Sequence, residues 1–409
     1  MTYKEAVKLL KKKDQIHLLE YYDELDEQGK KNLLESIEAI VWDFEEELAH
    51  PLDMSGKDRD IRPIEGLRIS AIEERKAEFE NIGVSAIQNN KVAAVLLAGG
   101  MGTRLGVDGP KGAYDIGITK PLYIFEQQMK NLAKVNEKCR VRVPLYIMTS
   151  DKNHEATVAF WNEHHFFGYE EKDVKFFKQD MAPAVDYTGK IYLERKDLVA
   201  LSPNGNGGWF ASMKRAGLVE DLKKKGVEWL NIYAVDNVLQ QIADPVFVGA
   251  TIESGVNCGA KVVCKNDPYE KVGVLCMDGD KPDIVEYYEL TDEMANQKDK
   301  DGNYVYSYGV IMNYLFRLCK LEEIVDQKIP VHIVEKKIER VCIDGVTRKP
   351  ERENGKKFEM LAVDLIKLMG SALPFEVVRE KEFAPIKNKT GVDSVESARE
   401  LLKQNGVEL

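Results

Sequence analysis

The chain has 409 residues, 44% of them hydrophobic and 31% charged, with a net charge of −11. That length exceeds one ordinary compact core, so two or three domains are expected, and the composition argues against wholesale disorder. The acidic balance argues against a general nucleic-acid binder, and no run approaches the ~18 apolar residues of a membrane-spanning helix.

Six cysteines, at 139, 258, 264, 276, 319 and 342, include no C-x-x-C pair. This argues against a zinc ribbon or a thioredoxin-type motif and for reduced thiols. The N-terminal MTYKEAVKLLKKKDQ is charged and lacks the apolar core of a signal peptide. A cytoplasmic protein with no membrane and no nucleic-acid partner is expected.

Residues 1–90 read as a helical region, with apolar residues at helical spacing in KNLLESIEAIVWDFEEEL and AIEERKAEFENIGVSAIQNN. The apolar run KVAAVLLA from Lys91 reads as a strand buried on both faces. PLYIFEQQMKNLAKVNE follows as a helix with Pro121 at its start, VPLYIMTS as a strand and NHEATVAFWNEHHFFG as a helix. GWFASMKRAGLVEDLKKKG reads as a helix and VEWLNIYAVDN as a strand. This alternation predicts an α/β fold, a mostly parallel twisted sheet with helices on both faces.

After about residue 255 the strands GAKVVCK, KVGVLCM and DIVEYYEL crowd together and predict an antiparallel extension. In strand alternation, Glu286 and Tyr288 share one face. Beyond Lys328 come PVHIVEKKIERV, a helix-like KFEMLAVDLIKLM and the tail FAPIKNKTGVDSVESARELL. The expected division is a helical region over 1–90, an α/β domain over 91–327 and a small α+β domain over 328–409.

The stretch LLAGGMGTRLG turns a buried strand into a glycine loop around Arg104. Glycine lets backbone N–H groups approach an anion closely. The dinucleotide fingerprint fails because Leu105 stands at its third glycine, and the Walker loop fails because Lys111 lies between Pro110 and Gly112. What remains is a loop of N–H donors with two cations, Arg104 and Lys111, which suits a triphosphate of about four negative charges. The alternative is a tight turn with two solvated cations. In VDN, Asp236 follows an apolar strand, where open α/β sheets bind ligands; it suits Mg²⁺, or else caps the next turn. PNGNGG, over 203–208, is a second glycine loop before a helix.

LAGGMGTRLG followed by PKG resembles the signature of sugar-nucleotide pyrophosphorylases, which join a nucleoside triphosphate to a sugar 1-phosphate. FFGYEEKDVKFFKQDMAPAV, LSPNGNGGWFASM, YAVDNVLQQIADPVFVG, GAKVVCKNDPYEKVGV, VEYYEL and EFAPIKNKTG are similar, in order, to the UTP-dependent branch. They most resemble the eukaryotic-type UDP-N-acetylhexosamine pyrophosphorylases, from about residue 90 onward.

The resemblance implies a Rossmann-like nucleotidyltransferase core over 91–327, with UTP and a sugar 1-phosphate as partners. It implies that Leu97, Ala98, Gly99, Gly100, Gln179 and Gly205 hold the nucleotide, and that Asn206, Gly273 and Glu286 hold the sugar. Asp236 would bind Mg²⁺. Arg104, Lys111 and Lys387 would act on the phosphates, with Lys387 brought from the C-terminal domain. A monomer or weak homo-oligomer is expected. The family reads EYSE and NAGNI where this chain reads EYYE and SYGVIMN, so Tyr288 replaces a Ser and Val310 an Asn. The overall resemblance implies N-acetylglucosamine 1-phosphate as the first expectation, and Tyr288 and Val310 make glucose or galactose 1-phosphate the alternative. A non-catalytic sugar-nucleotide sensor would be expected to lose Arg104, Lys111 or Asp236, and all three are present.

Overall fold

The structure is a computed structural model in which residues 1–42, 44–50 and 59–409 are described. They group into two units. One is built from Met1–Met54, Gln179–Gly208 and Lys328–Ala362, the other from Ser55–Lys178, Trp209–Gln327 and Val363–Leu409. This division differs from the one at residues 90 and 327, because packing partners lie far apart in sequence.

Among the described residues, the larger unit carries a ten-stranded sheet. Its strands are β1 (Ile61–Arg62), β2 (Val92–Leu97), β3 (Leu145–Thr149), β4 (Val174–Lys178) and β5 (Trp229–Ala234), then β6 (Cys258–Cys264), β7 (Val274–Asp278), β8 (Lys281–Val285), β9 (Tyr308–Arg317) and β10 (Ala372–Glu376). The order is β1-β7-β9-β5-β2-β3-β4, with β8 on β7 and with β6 between β9 and β10. All six residues of β2 are buried, as its unbroken apolar run predicts.

The sheet is mixed rather than mostly parallel. β5, β2, β3 and β4 run parallel, as do β6 and β10. The five pairings β1–β7, β6–β9, β7–β8, β7–β9 and β9–β5 are antiparallel. The expected antiparallel extension is thus half the sheet. For β7 and β8 the cause is connection length: only Gly279 and Asp280 join them, too short for the crossover a parallel pair needs.

Among the described residues, five longer helices belong to this unit: α1 (Lys76–Gln88), α2 (Ile124–Cys139), α3 (His154–Glu163), α4 (Pro245–Glu253) and α5 (Val395–Gln404). α2 starts three residues after Pro121, with Glu126 reaching back to the Tyr123 N–H. α1 and α4 cross at two glycines. A Cβ on Gly83 would lie 1.8 Å from the Pro245 carbonyl oxygen, and one on Gly249 would lie 1.7 Å from that of Phe79. The 208–226 stretch forms two helices, Trp209–Arg215 and Leu218–Lys224, broken where Gly217 turns left-handed. The helix-like 357–369 stretch is a strand, Gly355–Glu359, and a short helix, Leu365–Met369.

In the smaller unit the helices Tyr3–Lys12 and Glu27–Glu38 bury Leu10, Leu33 and Ile37 against Val185, Ile191, Leu193 and Phe358. The helix expected over 31–48 instead stops at Glu38, and a second helix covers Phe44–Ala49. Among the described residues, no helix is long and apolar enough to cross a membrane.

Candidate active site

β2 and β5 are parallel neighbours, with Leu97 opposite Ala234. The chain after β2 and the chain after β5 therefore leave the sheet at the same edge. The first carries Gly99 and Gly100, the second Asp236, while Leu97 and Ala98 are buried beneath. The glycine loop then folds back on itself. The Gly102 N–H donates to the Gly109 carbonyl at 2.8 Å and the Lys111 N–H to the Gly100 carbonyl at 3.2 Å.

This fold-back brings Lys111 Nζ to 3.9 Å from Asp236 Oδ2, with the two side chains 17% and 24% exposed. The Lys111 ammonium is held below its ordinary pKa, chiefly by burial; Asp236 opposes the shift, and the charges of Lys387 and Arg104 add to it. The charges of Arg104 and Lys387 therefore reach Lys111, which itself stands beside Asp236. Arg104 and Lys387 are exposed.

Lys387 lies in the same unit as Lys111 and Asp236, not in a separate C-terminal domain. The reason is backbone pairing. The Ile386 N–H donates to the Asp236 carbonyl at 2.9 Å, and the Val238 N–H to the Ala384 carbonyl at 3.3 Å. Asn237 locks the two segments: its Nδ2 donates to the Glu382 carbonyl at 2.7 Å and its Oδ1 accepts from the Ala384 N–H at 2.9 Å. Lys387 Nζ also pairs with Asp393 Oδ2 at 2.9 Å.

Several supporting residues were not visible as such in the sequence. Asn153 donates to the carbonyls of Ala98 and Gly100, and the Ser150 hydroxyl to that of Gly99. Both follow β3 and brace the glycine loop. From α2, buried Gln128 donates to the carbonyls of Ala234 and Asn237, and buried Asn131 to those of Val238 and Gln240. Buried amides must find partners, so these hold the turn that presents Asp236. The only signal for them in the sequence was amides at positions where an amphipathic helix should be apolar.

Gly273 and Glu286, two of the three residues expected to hold a sugar, meet near that edge, since β9 runs antiparallel to β5 with Asn313 opposite Tyr233. The Val310 N–H donates to the Gly273 carbonyl at 3.0 Å, and a Cβ on Gly273 would stand 3.2 Å from Glu286 Oε1. The strand expected through DIVEYYEL stops at Val285, and 287–289 form a turn. Glu286 and Tyr288 therefore do not share a strand face. The Glu289 carboxylate takes the Glu286 N–H, which ends the ladder.

Gln179, Gly205 and Asn206 belong to the smaller unit. Gln179 is 7% exposed, although a lone glutamine normally prefers the surface. Gly205 has φ +85°, and a Cβ there would lie 2.1 Å from the Met360 carbonyl oxygen, so only glycine fits. Asn206 Oδ1 accepts from the Ala362 N–H at 2.8 Å. The second glycine loop is thus bound along residues 360–362.

With this geometry in place, known proteins can be set beside it. A mouse protein named UDP-N-acetylhexosamine pyrophosphorylase-like protein 1 is 37% identical over 94% of this chain and 80% of its own. The UDP-N-acetylglucosamine pyrophosphorylase of Saccharomyces cerevisiae is 36% identical over 94% of this chain and 86% of its own. The crystal structure of the uridine diphosphate N-acetylglucosamine pyrophosphorylase from Trypanosoma brucei, in complex with an inhibitor, superposes with a TM-score of 0.84. It is 27% identical, covering 98% of this chain and 84% of that one. The family model described as UTP–glucose-1-phosphate uridylyltransferase matches residues 53–407, and the chain belongs to that family.

Proposed function

We propose that the protein transfers a uridylyl group from UTP to N-acetylglucosamine 1-phosphate and releases pyrophosphate. The observation that carries this reading is Lys111 beside Asp236 at the end of the glycine loop, within reach of the charges of Arg104 and Lys387. An oxygen of the sugar phosphate attacks the α-phosphorus of UTP in line. The bond from that phosphorus to the bridging oxygen breaks, and pyrophosphate leaves with the electron pair. The protein needs no covalent nucleophile; positioning and charge neutralisation carry the acceleration.

Arg104 and Lys111 neutralise the triphosphate and the leaving group, and Lys387 the incoming phosphate. Asp236 offers one hard oxygen ligand, which fits Mg²⁺ bound through a protein carboxylate and substrate phosphates. When bound, that ion supplies further neutralisation of phosphate charge. Leu97, Ala98, Gly99, Gly100, Gln179 and Gly205 set the uridine; the amide of Gln179 suits the donor and acceptor of a uracil edge. Asn206, Gly273 and Glu286 hold the sugar. Glucose or galactose 1-phosphate is the second reading, favoured by Val310, which offers a sugar no hydrogen-bonding side chain beside Gly273. Six free thiols support a reducing, cytoplasmic compartment.

The test is a pair of substitutions. Lys111→Ala and Asp236→Asn should each lower kcat by orders of magnitude with little change in Tm. A Lys111→Ala protein that keeps its turnover would contradict the assignment.

A further inference from the structure

Behind Glu286 lies an ion cluster that the reaction does not use directly. Arg59, just ahead of β1, spreads its guanidinium over three carboxylates. Its Nε is 3.3 Å from Asp278 Oδ2, its Nη2 is 2.7 Å from Asp283 Oδ2 and its Nη1 is 2.9 Å from Glu289 Oε1. Asp278 and Asp283 come from the β7–β8 hairpin. Lys367, on the Leu365–Met369 helix, reaches the same two aspartates at 2.7 and 2.8 Å. Arg59 and Glu289 are 20% and 8% exposed at the side chain, so water screens this contact little.

The second oxygen of Glu289 is what matters. Oε2 accepts the Glu286 N–H at 2.8 Å, and the Glu289 N–H returns to the Glu286 carbonyl at 2.9 Å. One carboxylate therefore ties Arg59 to the backbone of the sugar-facing residue. A guanidinium has a rigid fork, so it fixes Glu289 in place as well as pairing with it. Without Arg59, Asp278 and Asp283 would keep Lys367, and Glu289 would lose the guanidinium that holds it. Glu289 would turn to water, and the 286–289 turn would lose its anchor.

We infer that Arg59 and Glu289 are positioning residues for the sugar 1-phosphate, acting through the turn that sets Glu286. This rests on the proposed uridylyl transfer. Both lie in the sugar-facing part of the unit and touch none of Arg104, Lys111, Asp236 and Lys387, so the effect should fall on one substrate only.

The test is steady-state kinetics in both substrates on the full chain, with UTP, Mg²⁺ and N-acetylglucosamine 1-phosphate. Arg59→Ala should raise KM for the sugar phosphate about five- to tenfold, roughly the loss of one hydrogen bond, while KM for UTP stays within about twofold. Glu289→Ala should do the same, and Glu289→Gln should be partly rescued, because its amide oxygen can still take the Glu286 N–H. The double variant Arg59→Ala/Glu289→Ala should be no worse than Glu289→Ala alone, as expected for two members of one relay. Equal rises in both KM values, additive single effects or an unchanged Arg59→Ala protein would overturn the inference. Should Arg59→Ala fail to fold, Arg59→Lys keeps the charge without the fork and must show the same split. Wild-type protein that forms no UDP-sugar overturns the uridylyl-transfer reading and this inference with it.

Discussion

In the proposed reaction, Lys111 is the residue on which the phosphate chemistry turns. Burial and the neighbouring charges of Lys387 and Arg104 lower its pKa against the opposing pull of Asp236. The protonated form is the one that neutralises a triphosphate, so activity falls as pH rises through the depressed value. The alkaline limb of kcat/KM for UTP should therefore lie below the ordinary lysine value of about 10.4. In Lys111→Arg that limb should disappear, since a guanidinium keeps its proton, while overall activity drops for want of the ammonium's compact geometry. An unchanged limb in that variant would assign it to another group. That Arg104, Lys111 and Asp236 follow neighbouring buried strands was legible in the sequence, because the apolar runs before them mark where those strands end. Asn153, Asn237 and Gln128 were not. Their value lies in the backbone carbonyls they reach, and those are brought to them only by the sheet.

At the scale of elements, the apolar runs of β2, β3 and β5 and the helices between them were legible because buried parallel strands have an unmistakable pattern. The turn over 286–289 was not, because alternation in DIVEYYEL runs past the point where a side chain, Glu289, replaces the ladder partner. The split of 208–226 follows from one glycine with positive φ, which periodicity does not register. The crossing of α1 and α4 gives a direct stability test. A side chain at position 249 must push the Phe79 carbonyl away and separate two helices that pack on the sheet. Gly249→Val should destabilise the protein by about 3 kcal/mol or more, measured by denaturant unfolding. A loss below about 1 kcal/mol would mean that the two helices shift freely, contrary to the packing described.

At the scale of the whole molecule, the helical start of the chain, the core and the C-terminal region do not map onto domains in sequence order. Residues 1–50 pack with 179–208 and 328–362, whereas α1, β10 and α5 belong with the sheet. Local composition marks the change at 208/209, where PNGNGG ends, but not the other boundaries; long-range pairings such as β6 with β10 decide which pieces belong together. The net charge of −11 likewise says nothing of a site where the charges of Arg104 and Lys387 reach Lys111. The central claim is that this site transfers a uridylyl group. The most direct measurement is pyrophosphate release from UTP and Mg²⁺ against a panel of 1-phosphates of N-acetylglucosamine, N-acetylgalactosamine, glucose and galactose. Release with N-acetylglucosamine 1-phosphate, matched by equal UDP-sugar, is the predicted result. Folded protein that binds UTP yet releases no pyrophosphate with any of the four would contradict the account and leave Arg104 and Lys111 as binding residues only.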